Sequence, residues 1–85
     1  MVYDKLVLET FLNKQTQLYD ERVCDTLEEA DEFLDDCCAV VCKNKKEVVE
    51  YMEEEMDVSG MSQDEILAAE EVFSISDGRY LIVEG

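Results

Sequence analysis

The chain has 85 residues, of which 23 are Asp or Glu, seven are Lys or Arg and none is His, so its net charge is −16. A negative field of this size repels nucleic-acid phosphates and anionic lipids, and we therefore expect neither nucleic acid nor a membrane as a partner. The lack of His also excludes Ser-His and Cys-His nucleophile pairs and His-ligated zinc.

The length and the apolar content predict one small domain over residues 1–85. Apolar residues make up 47% of the chain, and a chain of this size buries roughly 64% of its surface on folding, which is enough for one core. Asp4, Lys5 and Glu9 interrupt the first apolar residues, so no signal peptide is expected. The longest apolar run, Cys37 to Cys42, is too short to span a bilayer. We expect a soluble, cytoplasmic protein.

The N-terminal segment, residues 2–18, fits two descriptions. Leu6 and Leu8 alternate as in a strand, whereas Val7 and Phe11 lie one helical turn apart. Because no helix-breaking residue interrupts the first half of the segment, we favour a helix over a strand.

Three further helices are predicted by capping signals, in which a Ser, Thr or Asn is followed three residues later by Glu. Apolar residues recur at helical spacing behind each signal. The middle helix carries Met52 and Met56 on its inner face and ends at Val58-Ser59-Gly60. The three capping pairs are Thr26 with Glu29, Asn44 with Glu47, and Ser62 with Glu65.

The segment between the first two capped helices, residues 38–42, is apolar at every position and rich in β-favouring residues. Such a run predicts a strand that is buried on both faces, and we place it at the centre of the sheet. This strand, a C-terminal hairpin and three to four helices together predict an α+β fold with a small antiparallel or mixed sheet.

The C-terminal hairpin is predicted because residues 72–76 and 79–83 flank Asp77-Gly78. Gly accepts the positive φ that a two-residue turn requires, and such a turn pairs Phe73 with Ile82. One side of this hairpin then carries apolar residues that must be covered either by an N-terminal helix or by a second copy of the chain, as a homodimer. These residues are Val72, Leu81 and Val83.

The segments from Asp57 to Ser62 and from Asp77 to Glu84 resemble those of a group of short acidic, uncharacterised proteins from anaerobic Gram-positive bacteria, some of which are labelled glyoxalase-like. The resemblance implies a family but no activity. A glyoxalase site is built around a His and Glu metal centre, which a chain without His cannot form, so no catalytic or binding residue carries over.

The four cysteines are Cys24, Cys37, Cys38 and Cys42, a number that can hold zinc or an iron–sulfur cluster. Their spacing contains no C-x-x-C pair, and on one strand Cys38 and Cys42 would lie about 13 Å apart along its axis. We therefore expect the thiols to fill a core in a reducing compartment, with no metal or cofactor. Cys24 lies outside every predicted element and is expected to be the exposed, reactive thiol.

No residue pattern indicates a catalytic site, so the leading hypothesis is a small, non-enzymatic module that binds or regulates a more basic protein. The alternative is a cysteine-dependent metal-binding or redox protein. The candidate interaction surface combines the hairpin residues Val72, Leu81 and Val83 with three acidic residues of the first capped helix. These acidic residues are Asp31, Glu32 and Asp35.

Overall fold

The computed structural model describes residues 2–55 and 60–83, and within them the chain forms an α+β fold, as predicted. None of the helices in these residues has the length and apolar character needed to cross a membrane. The elements are α1 (Lys5–Lys14), a 3-10 helix (Gln15–Gln17), α2 (Leu27–Asp36), β1 (Val40–Cys42), α3 (Lys45–Glu55), α4 (Gln63–Leu67), β2 (Val72–Ser74) and β3 (Tyr80–Ile82).

The helix starts agree with the predictions. The N-terminal segment is helical from Lys5, because the Asp4 carboxylate caps it by accepting a hydrogen bond from Val7 N at 3.0 Å. Met56, Val58 and Ser59, which the sequence places at the end of the middle helix, lie outside the described residues. The predicted caps bond as expected: Glu29 N to Thr26 Oγ1 at 3.1 Å, Glu47 N to Asn44 Oδ1 at 3.0 Å and Glu65 N to Ser62 Oγ at 3.2 Å.

The sheet has the strand order β1-β3-β2, and both pairs are antiparallel. The prediction that the strand at residues 38–42 is central was wrong, because β1 lies at an edge and β3 occupies the centre. An apolar run indicates that both faces of a strand are buried. It does not indicate whether the strand has a hydrogen-bonded neighbour on one side or on both sides.

Helices cover both faces of the sheet, and the sheet separates the interior into two clusters of buried side chains. Side chains on β3 alternate, so Leu81 faces α1 and α2 whereas Ile82 faces α3 and α4. The first cluster includes Val7, Leu8, Phe11, Ala30, Leu34, Phe73 and Leu81. The second includes Cys42, Val48, Met52, Ile66, Val72 and Ile82.

The hairpin register differs by one residue from the prediction, since Phe73 pairs with Leu81 and not with Ile82. Ile75 N donates to Arg79 O at 2.9 Å, and Gly78 N donates to Ile75 O at 3.0 Å. The turn therefore contains three residues instead of two, with Gly78 in the left-handed region at φ 95°.

This register shift also corrects the predicted apolar surface of the hairpin. A shift of one residue moves side chains to the opposite face, so Val72 lies in one cluster while Leu81 and Val83 lie in the other. All three are buried, at 5%, 0% and 0% exposure. Helices of this chain cover them, since Leu81 and Val83 share the first cluster with residues of α1 and α2, and Val72 shares the second with residues of α3 and α4.

Cys38 was predicted to begin a buried strand, but it is exposed and follows the end of α2 with φ 56°. Cys38 N donates to Asp35 O at 3.1 Å, and Ala39 N donates to Leu34 O at 2.9 Å. These two bonds form a Schellman motif, in which the left-handed position is usually Gly. Because residues 38 and 39 complete this motif, β1 begins only at Val40. Because Cys and not Gly occupies the left-handed position, the backbone at Cys38 is strained by about 1–2 kcal/mol.

Cys38→Gly should therefore raise the free energy of unfolding by about 0.5–1 kcal/mol relative to Cys38→Ala, because the relief of backbone strain exceeds the stability lost through the more flexible unfolded state of Gly. Both variants remove the thiol, so the difference between their stabilities reports only the effect of the backbone conformation at residue 38. Urea unfolding measures the difference, and equal stabilities of the two variants would contradict the strain at this position.

The hairpin turn is tied to the start of α1 by an exposed network of ions. Arg79 Nη1 donates to Asp4 Oδ2 at 2.6 Å, and Arg79 Nε donates to Asp77 Oδ2 at 2.7 Å. The hydrogen bond from Arg79, followed by the one from Val7 N, lowers the pKa of Asp4 below its usual value of 3.8. The charged form of Asp4 therefore stabilises the folded state.

Asp4→Asn should reduce stability at pH 7 by less than about 1 kcal/mol, since Asn caps a helix as well as Asp and only the exposed ion pair is lost. The lowered pKa of Asp4 means that its contribution is complete above about pH 4 and disappears as the pH falls through the folded value. Unfolding of the wild type and of Asp4→Asn, measured between pH 7 and pH 2, should show that the difference in their free energies of unfolding vanishes in acid. A difference that stays constant would contradict the role of Arg79.

Candidate functional site

The predicted acidic surface lies on α2, which carries six carboxylates. Glu32 and Asp35 are exposed, as expected of residues on the solvent side of an amphipathic helix. Asp31 is half-buried, and its Oδ1 accepts a hydrogen bond from Tyr3 N at 2.9 Å, so it also holds the N-terminal segment against α2. The six residues are Glu28, Glu29, Asp31, Glu32, Asp35 and Asp36.

None of the α2 carboxylates forms an ion pair within residues 2–55 and 60–83. The ion pairs found there join Lys5 to Glu9, Arg22 to Asp25, Lys46 to Glu50, and Arg79 to Asp4 and Asp77. Among the described residues, no cation therefore lies within ion-pair distance of an α2 carboxylate.

The charge on α2 is also unfavourably placed at one end. Glu28 and Glu29 lie in the first turn, where the helix dipole stabilises negative charge. Asp35 and Asp36 lie in the last turn, which contains no basic residue, and there the dipole destabilises negative charge. The negative end of the helix dipole and two carboxylates therefore coincide at the C-terminal end of α2.

A cavity of about 240 Å³ opens beside α2. Three carboxylates on one side of the helix line it, and the segment that precedes the helix supplies an apolar lining together with Phe33. The full lining is Val23, Cys24, Glu29, Glu32, Phe33 and Asp36. The cavity is therefore both apolar and anionic.

Gln15, which is completely buried, holds the segment at Val23 and Cys24 in place. Its Nε2 donates to Cys24 O at 2.9 Å and to Leu12 O at 3.0 Å. Its Oε1 accepts from Val23 N at 2.7 Å and from Cys24 N at 3.0 Å. Both amide hydrogens and both acceptor positions of Gln15 are used, so this wall of the cavity is fixed from the interior.

The side of the cavity formed by α2 is fixed as well. The Phe33 ring stacks on Phe11 and meets Tyr19 edge-on, with both centroid distances at 5.6 Å. Glu29 Oε1 accepts from Asp25 N at 3.2 Å and from the Thr26 hydroxyl at 3.3 Å. Glu32 and Asp36 remain exposed at the rim, and neither has an ion-pair partner in the described residues.

The prediction that Cys24 is the exposed thiol was wrong, because Gln15 draws its backbone inward and leaves the side chain only 3% exposed. Burial raises the pKa of the Cys24, Cys37 and Cys42 thiols. Cys24 and Cys42 lie in the two interior clusters, on opposite faces of the sheet. Within the described residues, no group of three or more Cys, Asp or Glu side chains could hold a metal ion.

Alkylation of the native protein should therefore modify Cys38 first, Cys37 more slowly, and Cys24 and Cys42 only as the protein opens, since access and thiolate content control the rate. Mass spectrometry of digests taken over time measures the order, and Cys38→Ser should remove the fastest phase. Early modification of Cys24 would contradict the placement of its side chain.

Sequence reasoning placed Glu32 and Asp35 on the surface but did not identify the cavity. The sequence contains one signal for it, because Glu29, Glu32 and Asp36 recur at the spacing of one helix face. Nothing in the sequence marks Gln15 as buried, since a polar side chain in a polar stretch is normally exposed.

This chain matches no protein-family model, no curated protein and no solved structure. The resemblance to short acidic proteins of anaerobic Gram-positive bacteria therefore stays a prediction.

Proposed function

We propose that the protein is a non-enzymatic module that binds a more basic protein through the acidic surface of α2. The observation that supports this is that none of the six carboxylates on α2 forms an ion pair within the described residues. Unpaired carboxylates repel one another in the free protein. A cationic partner relieves this repulsion and is attracted to the surface over a Debye length.

The arrangement of Asp35 and Asp36 supports the same proposal. Each carboxylate in the last turn of a helix costs about 0.3–1 kcal/mol through the dipole. Residues that break a local rule without compensation are concentrated at functional sites. Cationic groups of a partner placed at this end of α2 convert the cost into a favourable interaction.

The cysteine-dependent alternative receives no comparable support, since Cys24 and Cys42 are buried in separate clusters. The thiols of all four cysteines are free, which suits a reducing compartment. The free thiols support a proposed location in the cytoplasm.

The test is capture of partners from a lysate of the native host by the wild type and by two variants of equal charge. One variant neutralises four carboxylates of α2 and the other neutralises four of α3, so both change the net charge by the same amount. The α2 variant carries Glu28→Gln, Glu32→Gln, Asp35→Asn and Asp36→Asn. The α3 variant carries Glu50→Gln, Glu53→Gln, Glu54→Gln and Glu55→Gln.

We expect the wild type and the α3 variant to capture the same basic protein at low salt and to release it at roughly 0.5 M salt, where screening is strong. The α2 variant should not capture it. Equal capture by both variants, capture that persists undiminished at high salt, or no capture of a basic protein at either salt concentration would contradict the proposal.

A further inference from the structure

The cavity beside α2 combines features that together select one kind of ligand. Val23 is 40% exposed at the mouth of this cavity, and the described residues contain only two other large apolar side chains with comparable exposure, Val2 and Met61. An exposed apolar residue next to uncompensated carboxylates suits a ligand with an apolar part and a positive charge.

The volume limits how much of a ligand this open cavity can hold. Pockets for drug-sized molecules measure roughly 300–1,000 Å³, and the cavity at about 240 Å³ is smaller. It suits a single long side chain of a partner protein, with methylene groups against Val23 and Phe33 and a cationic head beside the carboxylates.

The positions of the carboxylates distinguish Arg from Lys. Glu32 and Asp36 lie one helical turn apart at the rim, while Glu29 Oε1 is already engaged in the cap of α2. A guanidinium group presents several donors in a planar fork and can bond two carboxylates at once, whereas an ammonium group is a point charge.

We infer that this cavity is the pocket for one arginine side chain of the basic partner, held by Glu32 and Asp36. The inference rests on the proposed function and specifies its central contact. Gln15 and the cap at Glu29 hold the walls in place before binding, so little conformational freedom is lost when the arginine enters.

The test uses a blocked Gly-Ser peptide with a single arginine, together with identical peptides that carry lysine or uncharged citrulline. Titrations at low salt are followed by backbone amide NMR. The pocket variant is Glu32→Gln with Asp36→Asn. The matched control is Glu28→Gln with Asp35→Asn. It removes the same number of negative charges from α2, but at residues that do not line the cavity.

We expect the arginine peptide to shift the amides of Val23, Cys24 and residues 29–36. The pocket variant should weaken its binding by about tenfold and the control variant by less than about threefold. The lysine peptide should bind more weakly than the arginine peptide, and the citrulline peptide should not bind.

Equal losses of affinity for the arginine peptide in the two variants would contradict the arginine pocket. Such a result would mean that the peptide responds only to the overall negative charge of α2. Amide shifts away from the cavity, or no binding of the arginine peptide to the wild type, would overturn the arginine pocket as well. The proposed function is judged separately, because capture of the basic partner depends on all the α2 carboxylates and fails only if the acidic surface itself does not bind.

Discussion

Gln15→Leu should lower the free energy of unfolding by about 3–5 kcal/mol. Leu is similar in size to Gln but cannot bond to the backbone groups that the Gln15 amide satisfies. Cys24 N is buried and has Gln15 as its hydrogen-bond partner, and each buried donor or acceptor left without a partner costs about 1–3 kcal/mol.

Urea unfolding of Gln15→Leu measures this loss, and Gln63→Leu is the matched control. Gln63 is exposed at the start of α4, so its replacement should change stability by no more than about 0.5 kcal/mol. Amide hydrogen exchange at Val23 and Cys24 should also accelerate in the Gln15 variant. A loss below about 1 kcal/mol with unchanged exchange would show that Gln15 does not hold this segment.

Phe11→Ala should cost about 3–5 kcal/mol, the range for removing a fully buried aromatic ring. The Phe11 side chain is 0% exposed. Its ring lies 5.6 Å from that of Phe33 on α2 and 5.5 Å from that of Phe73 on β2. The Phe11 ring therefore connects α1 with both α2 and β2. Its removal leaves a cavity between these three elements.

Phe11→Leu is the control for this experiment, since it keeps most of the volume and should cost less than about 1.5 kcal/mol. Thermal or urea unfolding of the two variants gives the comparison. If Phe11→Ala and Phe11→Leu were equally stable, the ring would not be the contact that joins α1, α2 and β2.

The helices could be predicted from the sequence because their signals are local. The Thr26 and Glu29 pair, for example, lies within one turn and bonds as expected. The sheet order could not be predicted in the same way. The pairing of Val40 with Ile82 joins residues far apart in the chain, and neither strand's composition specifies which neighbour lies beside it.

The candidate site was also predictable only in part. Helical periodicity places Glu32 and Asp35 on the solvent side of α2, where the structure has them. The cavity depends on the segment at Val23 and Cys24, whose position is set by hydrogen bonds to the Gln15 side chain, eight and nine residues earlier in the chain. No periodic pattern describes such a contact. Cys24 was expected to be exposed because it lies outside every predicted element.

The proposed function requires that α2 is the surface that binds the basic partner. Its most direct test is an NMR map of the isotope-labelled protein in complex with the captured partner. We predict that the largest amide shifts will fall on residues 27–36 and on Val23 and Cys24, and that they will diminish as salt is added. Shifts concentrated on α3 or on the hairpin, or shifts that added salt leaves unchanged, would contradict binding of the partner by α2.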